Sequence, residues 1–282
     1  MVKNILAIIV TYNRLELLKE CLFSLKSQVL KPNKILVINN SSDDGTLEWL
    51  KSQENIEVIT QKNSGSSGGQ YRGMKFAIEE NYDWIWCLDD DTICFFDTLQ
   101  RLVEVANKNE ELAYYSSLVY WNEKILHNAN VPIIKKDTSK LGVPVISNTT
   151  FVSFLFPTEF IKQLGYPYKE FFVWFDDWEF TDRLYRNGKR GYLIYDSKVI
   201  HKTKDNSAYN LNQKSETRKF NYYYGVRNDF FLRRIRSKNL YQKFKFYFIF
   251  IKYFIKFSIK GYPVEYKRGL LSSLHFNPKI EY

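Results

Sequence analysis

The stretch "DWIWCLDDDT", residues 83–92, runs apolar and then stops at Asp89, Asp90 and Asp91. A short apolar run of this kind predicts a strand buried on both faces. Consecutive carboxylates at its end repel one another and call for a compensating charge. On a strand, residues i and i+2 project to the same side, which would let Asp89 and Asp91 converge on one point. A hard divalent cation relieves their repulsion, and oxygen ligands suit Mg²⁺ or Mn²⁺. The competing reading is a solvated acidic loop or a helix N-cap, which explains most isolated acid pairs.

The flanking sequence sets the context. "NILAIIV" (4–10) is a continuous β-branched run, and Leu15, Leu18, Leu22 and Leu25 then recur at helical spacing. "KILVIN" (34–39) reads as a second strand, "DDGTLEWLKSQ" (43–53) as a helix, and "IEVIT" (56–60) as a third strand. "GGQYRGMKFAIEE" (68–80) reads as the helix that leads into "DWIWCL" (83–88), the fourth strand. This alternation predicts an α/β fold with a mostly parallel sheet flanked by helices, and sites beyond the carboxyl ends of its strands. From about 110 to 170 the alternation weakens; "DWEFTDRLYRNG" (177–188) reads as a helix closed by Gly188, "GYLIYDSKVIH" (191–201) as extended chain.

Three loops should gather at the edge where the acids lie. "VTYNR" (10–14) ends strand one with Thr11, Tyr12, Asn13 and Arg14. "NNSSDDGT" (39–46) ends strand two, where Asn39, Asn40, Ser41 and Asp43 can hydrogen-bond a base and ribose. "NSGSSGGQYRG" (63–73) follows strand three; Gly68 and Gly69 allow backbone approach to a phosphate or sugar, with Asn63 and Arg72 beside them. Neither a Walker sequence nor GxGxxG follows strand one, which counts against a dinucleotide enzyme.

In this order the motifs "VTYNR", "NNSSDDGT", "NSGSSGGQYRG", "CLDDDT" and "FFVWFDDWEF", over about residues 4–205, resemble the inverting glycosyltransferases of family 2 with the GT-A fold. The resemblance implies that the first loops hold the nucleotide. It implies too that Asp89 and Asp91 bind a metal bridging the diphosphate, with Asp90 nearer the nucleotide or donor sugar. In "FFVWFDDWEF" (171–180) it makes Asp177 the catalytic base, with Asp176 orienting acceptor or base and Trp174, Trp178 and Glu179 near the acceptor. An inverting transfer needs such a base opposite the leaving group, and aromatic surroundings with a neighbouring acid raise a carboxyl pKa. His201 is implied as a further metal ligand; His127 and His275 read as structural or exposed. The pattern is most similar to bacterial galactofuranosyltransferases using UDP-galactofuranose, with rhamnosyltransferases using dTDP-rhamnose sharing much of it. Asn39, where many relatives carry an acid, and Trp178, in an often small slot, depart from it.

The chain is 45% hydrophobic and 26% charged, ordinary values for a folded protein, but 17% aromatic, which suits a deep core, sugar stacking or a membrane interface. Its three cysteines lack CxxC spacing and point to a reduced setting. No apolar run reaches the length of a signal peptide core or a spanning helix, so the expectation is a cytoplasmic protein that touches a membrane from one side.

The net charge of +10 concentrates toward the C-terminus and predicts an acidic partner. Residues 1–214 are expected to form the catalytic domain, with a nucleotide-sugar half (1–110) and an acceptor half (111–214), and residues 215–282 a basic, aromatic helical region. There Lys245, Lys252 and Lys256 fall on one helical stripe, fit to lie in an anionic interface on the inner face of the cell membrane; a second subunit is the alternative occupant. By resemblance of "YYYGVRN", Arg227 contacts acceptor phosphate. The expected acceptor is a glycan or a lipid-diphosphate-linked chain, as in capsule or O-antigen assembly. Two other readings compete: a nucleic-acid-binding protein, suggested by the charge but opposed by acids at the strand ends, and a catalytically silent membrane-associated assembly partner.

Overall fold

β1 (Ile5–Thr11) is buried along its whole length because it lies between β2 (Lys34–Asn39) and β4 (Trp84–Asp89), parallel to both. Its residues alternate between two cores. Ile5, Ala7 and Ile9 pack with Leu18, Cys21, Leu22 and Leu25 of α1 (Leu15–Lys26) and with α4 (Thr98–Lys108). Leu6, Ile8 and Val10 pack with Met74 and Ala77 of α3 (Gly65–Glu79) and with Phe180 and Leu184 of α6 (Asp176–Arg186). This period of two on a strand buried on both faces explains the continuous apolar run. The chain is described here from a computed structural model covering residues 1–282, apart from the side chains of residues 137 and 138.

The sheet runs β3-β2-β1-β4-β9-β6-β10-β8-β7, with β3 (Ile56–Thr60), β6 (Ala113–Tyr120), β7 (Ile134–Thr138), β8 (Pro144–Ile146), β9 (Ser153–Pro157) and β10 (Arg190–His201). The first four positions are parallel, as the sequence alternation predicts; β9 then inserts antiparallel between β4 and β6. α2 (Thr46–Lys51) is the short crossover between β2 and β3.

Two local expectations change. The helix read over 68–80 begins three residues earlier, since α3 starts at Gly65 and takes in more of the glycine-rich segment. A Cβ on Gly69 would overlap Val10, and one on Gly68 would overlap Ser64, so both glycines are used for close packing of the helix rather than for approach to a ligand. The acids also do not converge by strand alternation. Asp89 ends β4, Asp90 and Asp91 form a turn, and β5 (Thr92–Cys94) leaves in a new direction to pair antiparallel with β10.

The C-terminal region folds as α7 (Lys219–Arg236), α8 (Leu240–Ile259) and α9 (Val264–Ser272). Tyr222 of α7 stacks on Tyr266 of α9 with ring centroids 4.4 Å apart, and Phe246, Phe250 and Phe257 of α8 complete that core. Trp174 and Tyr209 pack into the same cluster, so the helices lean on the segment that precedes α6. Lys256 does not share the outward stripe expected for it; its ammonium turns back to the carbonyl of Leu211, 3.3 Å away. Among the described residues, no helix is long and apolar enough to cross a membrane.

Candidate active site

The turn after β4 and the end of β1 form the floor of a cleft of about 1380 Å³. Thr11 Oγ1 donates to Asp90 Oδ2 (2.8 Å), and Arg14 Nη1 lies 3.2 Å from Asp90 Oδ1 and 2.8 Å from Asp91 Oδ2. His201 arrives from the far side of the sheet because β10 pairs with β5, setting His201 opposite Thr92. Its Nε2 is 2.9 Å from Asp91 Oδ1 and 3.6 Å from Asp89 Oδ2, and one ligand atom of each of the three residues lies within 4.8 Å of the others. His201 Nδ1 donates to Asn130 Oδ1 (2.9 Å), whose own amide donates to Thr150 Oγ1 (2.9 Å). An amide oxygen only accepts, so Nδ1 carries a proton and Nε2 faces the carboxylates. The ring of His127 stacks on that of His201, 4.8 Å away.

This donor set fits a divalent cation. Asp91 Oδ1 is buried and receives no hydrogen bond despite its short contact with His201. Burial opposes ionisation of Asp91, but the charges of His201 and Arg14 hold its pKa at about 2. Burial raises Asp90 to about 7 against the pull of Arg14. Burial would lower His201, yet Asp91 and Asp89 raise it. Two carboxylates and an imidazole form an anionic pocket with a nitrogen donor, the composition of a Mn²⁺ or Mg²⁺ site.

A second acid pair faces the same cleft. α6 opens after Phe175, which is left-handed (φ 73°) and supplies no side-chain cap, so Asp176 and Asp177 stand in the first turn. The N–H of Trp178 donates to Asp177 Oδ1 (2.7 Å). Burial raises Asp176 to about 7 and Asp177 well above the usual carboxylate range; Asp176 adds to the rise at Asp177, and Asp89 pushes both upward. A carboxyl at about 7, as Asp176 is, can exchange a proton near neutral pH.

The loop leading into α6 is unusual for a chain of bulky residues. Phe172, Trp174 and Phe175 all have positive φ (66°, 66° and 73°), each costing of order 1 kcal/mol. Asn228 of α7 offsets this by donating to the carbonyls of Phe171 (2.9 Å), Val173 (3.2 Å) and Trp174 (2.9 Å). Arg227 donates to the carbonyls of Glu170 (2.6 Å) and Phe171 (3.2 Å). From below, the N–H of Ser67 bonds the Phe172 carbonyl (3.1 Å), and Gly65 leaves room for that carbonyl, which a Cβ would strike.

The expected residues therefore divide. Thr11, Tyr12, Arg14, Asn40, Asn63, Asp89, Asp90, Asp91, Trp174, Asp176, Asp177, Trp178 and His201 all line the cleft. Asn13, Asn39, Ser41 and Asp43 brace its loops instead: Asn13 Oδ1 accepts from the N–H of Asp43 (2.9 Å), Asn39 Oδ1 from that of Ser42 (3.0 Å), and Ser41 Oγ donates to the carbonyl of Gln61 (2.7 Å). Gly68 and Gly69 are inside α3, and Arg72 points along it to Glu79 (3.7 Å). Glu179 does not line the cleft; it is buried in a two-pronged pair with Arg183 (3.0 Å each). Arg227 is buried as a loop brace and does not line the cleft. His127, Asn130, Gly65 and Asn228 were not expected, since each acts through contacts distant in sequence.

A parallel half-sheet whose strand ends carry acids, extended by an antiparallel strand and faced by a second acid pair, is a GT-A type of architecture. Residues 6–202 match the model of glycosyl transferase family 2, most of the chain, and the chain belongs to that family. It is similar to galactofuranosyltransferase GlfT1 of Mycolicibacterium smegmatis, 36% identical over 87 residues that make 30% of this chain and 29% of that protein. It is also similar to the poly-beta-1,6-N-acetyl-D-glucosamine synthase of Staphylococcus epidermidis, 26% identical over 178 residues, 58% of this chain and 42% of that one. The chain thus spans less than half the length of these curated relatives. Among solved structures, S. aureus TarS 1–349 in complex with UDP superposes with a TM-score of 0.57 at 17% identity, covering 81% of this chain and 64% of that one, a likeness of fold.

Proposed function

We propose that the protein is a metal-dependent inverting glycosyltransferase. It moves a sugar, galactofuranose in our reading, from a UDP-linked donor to a hydroxyl of a glycan or lipid-diphosphate-linked acceptor in bacterial surface polysaccharide synthesis. The observation that carries this reading is the meeting of Asp89, Asp91 and His201 within 4.8 Å in the cleft that also holds Asp176 and Asp177. A divalent cation held by the first three would neutralise charge on the departing diphosphate. Arg14, Lys202, Lys204 and Arg218 also line the cleft and add positive charge toward the same group. Asp177 takes the proton of the attacking hydroxyl, while Trp174 and Trp178 offer flat faces for the acceptor ring.

The family model covers 6–202, in keeping with a catalytic domain of 1–214 and a separate helical region of 215–282. The GlfT1 likeness, though short, favours galactofuranose; transfer of rhamnose from dTDP-rhamnose is the second reading. Calorimetric titration with UDP, dTDP and GDP, with and without Mn²⁺, tests both. Metal-dependent UDP binding is expected, followed by turnover of UDP-galactofuranose. A dTDP preference moves the assignment to rhamnose, and absence of metal-dependent binding to any of them overturns the proposal.

A further inference from the structure

α8 presents two apolar faces. Phe246, Phe250 and Phe257 turn inward, where Phe250 meets Phe230 edge-on with centroids 6.1 Å apart. On the opposite side Phe244, Phe248, Ile251, Ile255 and Ile259 are all between 50% and 74% exposed. Their spacing of three and four residues sets them on one stripe. A helix packed on one side ordinarily shows polar groups on the other, and a contiguous exposed apolar stripe marks a contact surface.

The charges beside the stripe narrow the occupant. α8 contains no acidic residue, and its exposed Lys245 and Lys252 border the stripe. In a two-fold contact between copies of this chain, these lysines would be brought toward their own equivalents, which is unfavourable. Anionic headgroups over acyl chains satisfy both features at once, with the lysine stems lying along the apolar surface and their ammonium groups among the phosphates. The helix falls short of the apolarity needed to cross a bilayer, so it would lie in the plane of the interface.

We propose that the outward face of α8 seats the protein on an anionic bilayer. Lys256, on the inner side of the same helix, is bonded to the Leu211 carbonyl, and the neighbouring Ser207, Ala208 and Tyr209 line the cleft. The membrane face and the cleft wall are therefore joined through one short segment, which would bring the cleft to a lipid-borne acceptor. The inference rests on the proposed transfer for the purpose of this arrangement, though not for the surface itself.

Sedimentation of the full chain with vesicles tests it. The protein should co-sediment with phosphatidylcholine vesicles containing phosphatidylglycerol and stay in solution with phosphatidylcholine alone. The triple change F244S/F248S/I251S should lower partitioning at least about tenfold, and K245E/K252E should remove the dependence on anionic lipid. Phe248→Trp should shift its emission to the blue when anionic vesicles are added. Mn²⁺-dependent UDP binding should be unchanged in all these variants; a parent chain that binds anionic vesicles but no nucleotide would sink the transferase reading and leave this inference standing. A parent chain that ignores both vesicle types overturns the inference, as does a concentration-dependent dimer abolished by the triple change.

Discussion

Asn228 Nδ2 lies 2.9 Å from the carbonyl oxygen of Trp174, so a residue of α7 holds the loop that delivers Asp176 and Asp177 to the cleft. Its carbonyl end is held in turn by Arg227 Nε, 3.1 Å away. The C-terminal helices are thus part of the support of the acid pair. Replacing Asn228 by Ala removes the donors to three carbonyls, and should cost about 1–3 kcal/mol of stability. Turnover should fall about a hundredfold, since small displacements of a catalytic group have that effect. UDP binding, by calorimetry, should change little, which separates a displaced acid pair from a damaged nucleotide site.

Asp91→Asn should weaken Mn²⁺ binding, read by electron paramagnetic resonance of the free ion. Asn130→Ala should weaken it about 10–100-fold, because the proton it holds on His201 Nδ1 directs Nε2 to the ion. Unchanged Mn²⁺ affinity in both variants would remove the ion from this position.

Asp177→Asn should reduce kcat by about 10²–10⁴ while leaving donor binding in place. The same change should stabilise the fold. Burial holds Asp177 well above the usual carboxylate range and Asp176 at about 7. In the pH interval between the unfolded value and the folded value the native state binds more protons than the unfolded chain, so stability falls as pH rises through it. Melting curves from pH 4.5 to 8 should show a decline in the parent chain that is smaller in the variant.

Gly65→Ala should damage both fold and site. The residue has φ 73°, and an added Cβ would strike the Phe172 carbonyl. The loop must then move or α3 must shift, at a cost of about 1–3 kcal/mol, and turnover should drop with Tm. A variant with normal Tm and normal turnover would show that this contact is dispensable.

Much of this was legible before any tertiary structure. The order of strands and helices to residue 89 follows from apolar periodicity, because strands buried on both faces and helices buried on one leave different repeats. The acids after β4 could be singled out because an apolar run that ends in consecutive carboxylates is costly without a use for them, whereas those in the first turn of α6 came from the family resemblance. The glycine segment misled, because glycine serves a tight helix–strand contact at Gly69 as readily as a ligand loop. Glu179 and Arg227 misled for a related reason, since a charged residue near a motif does not reveal whether it faces the cleft or braces a backbone.

What the sequence by itself determined is the parallel half-sheet and the run of acids that ends its fourth strand, since both are written in local pattern. Only the tertiary structure decided which side chains meet. His201 reaches Asp91 because β5 reverses against β10, and Asn130 and His127 reach His201 from a segment with little periodicity. Asn228 braces Trp174 from a helix beyond the matched family segment. The exposed stripe of α8 likewise became visible only when its opposite face was seen packed, because an all-round apolar helix carries no periodic sign of which side is buried.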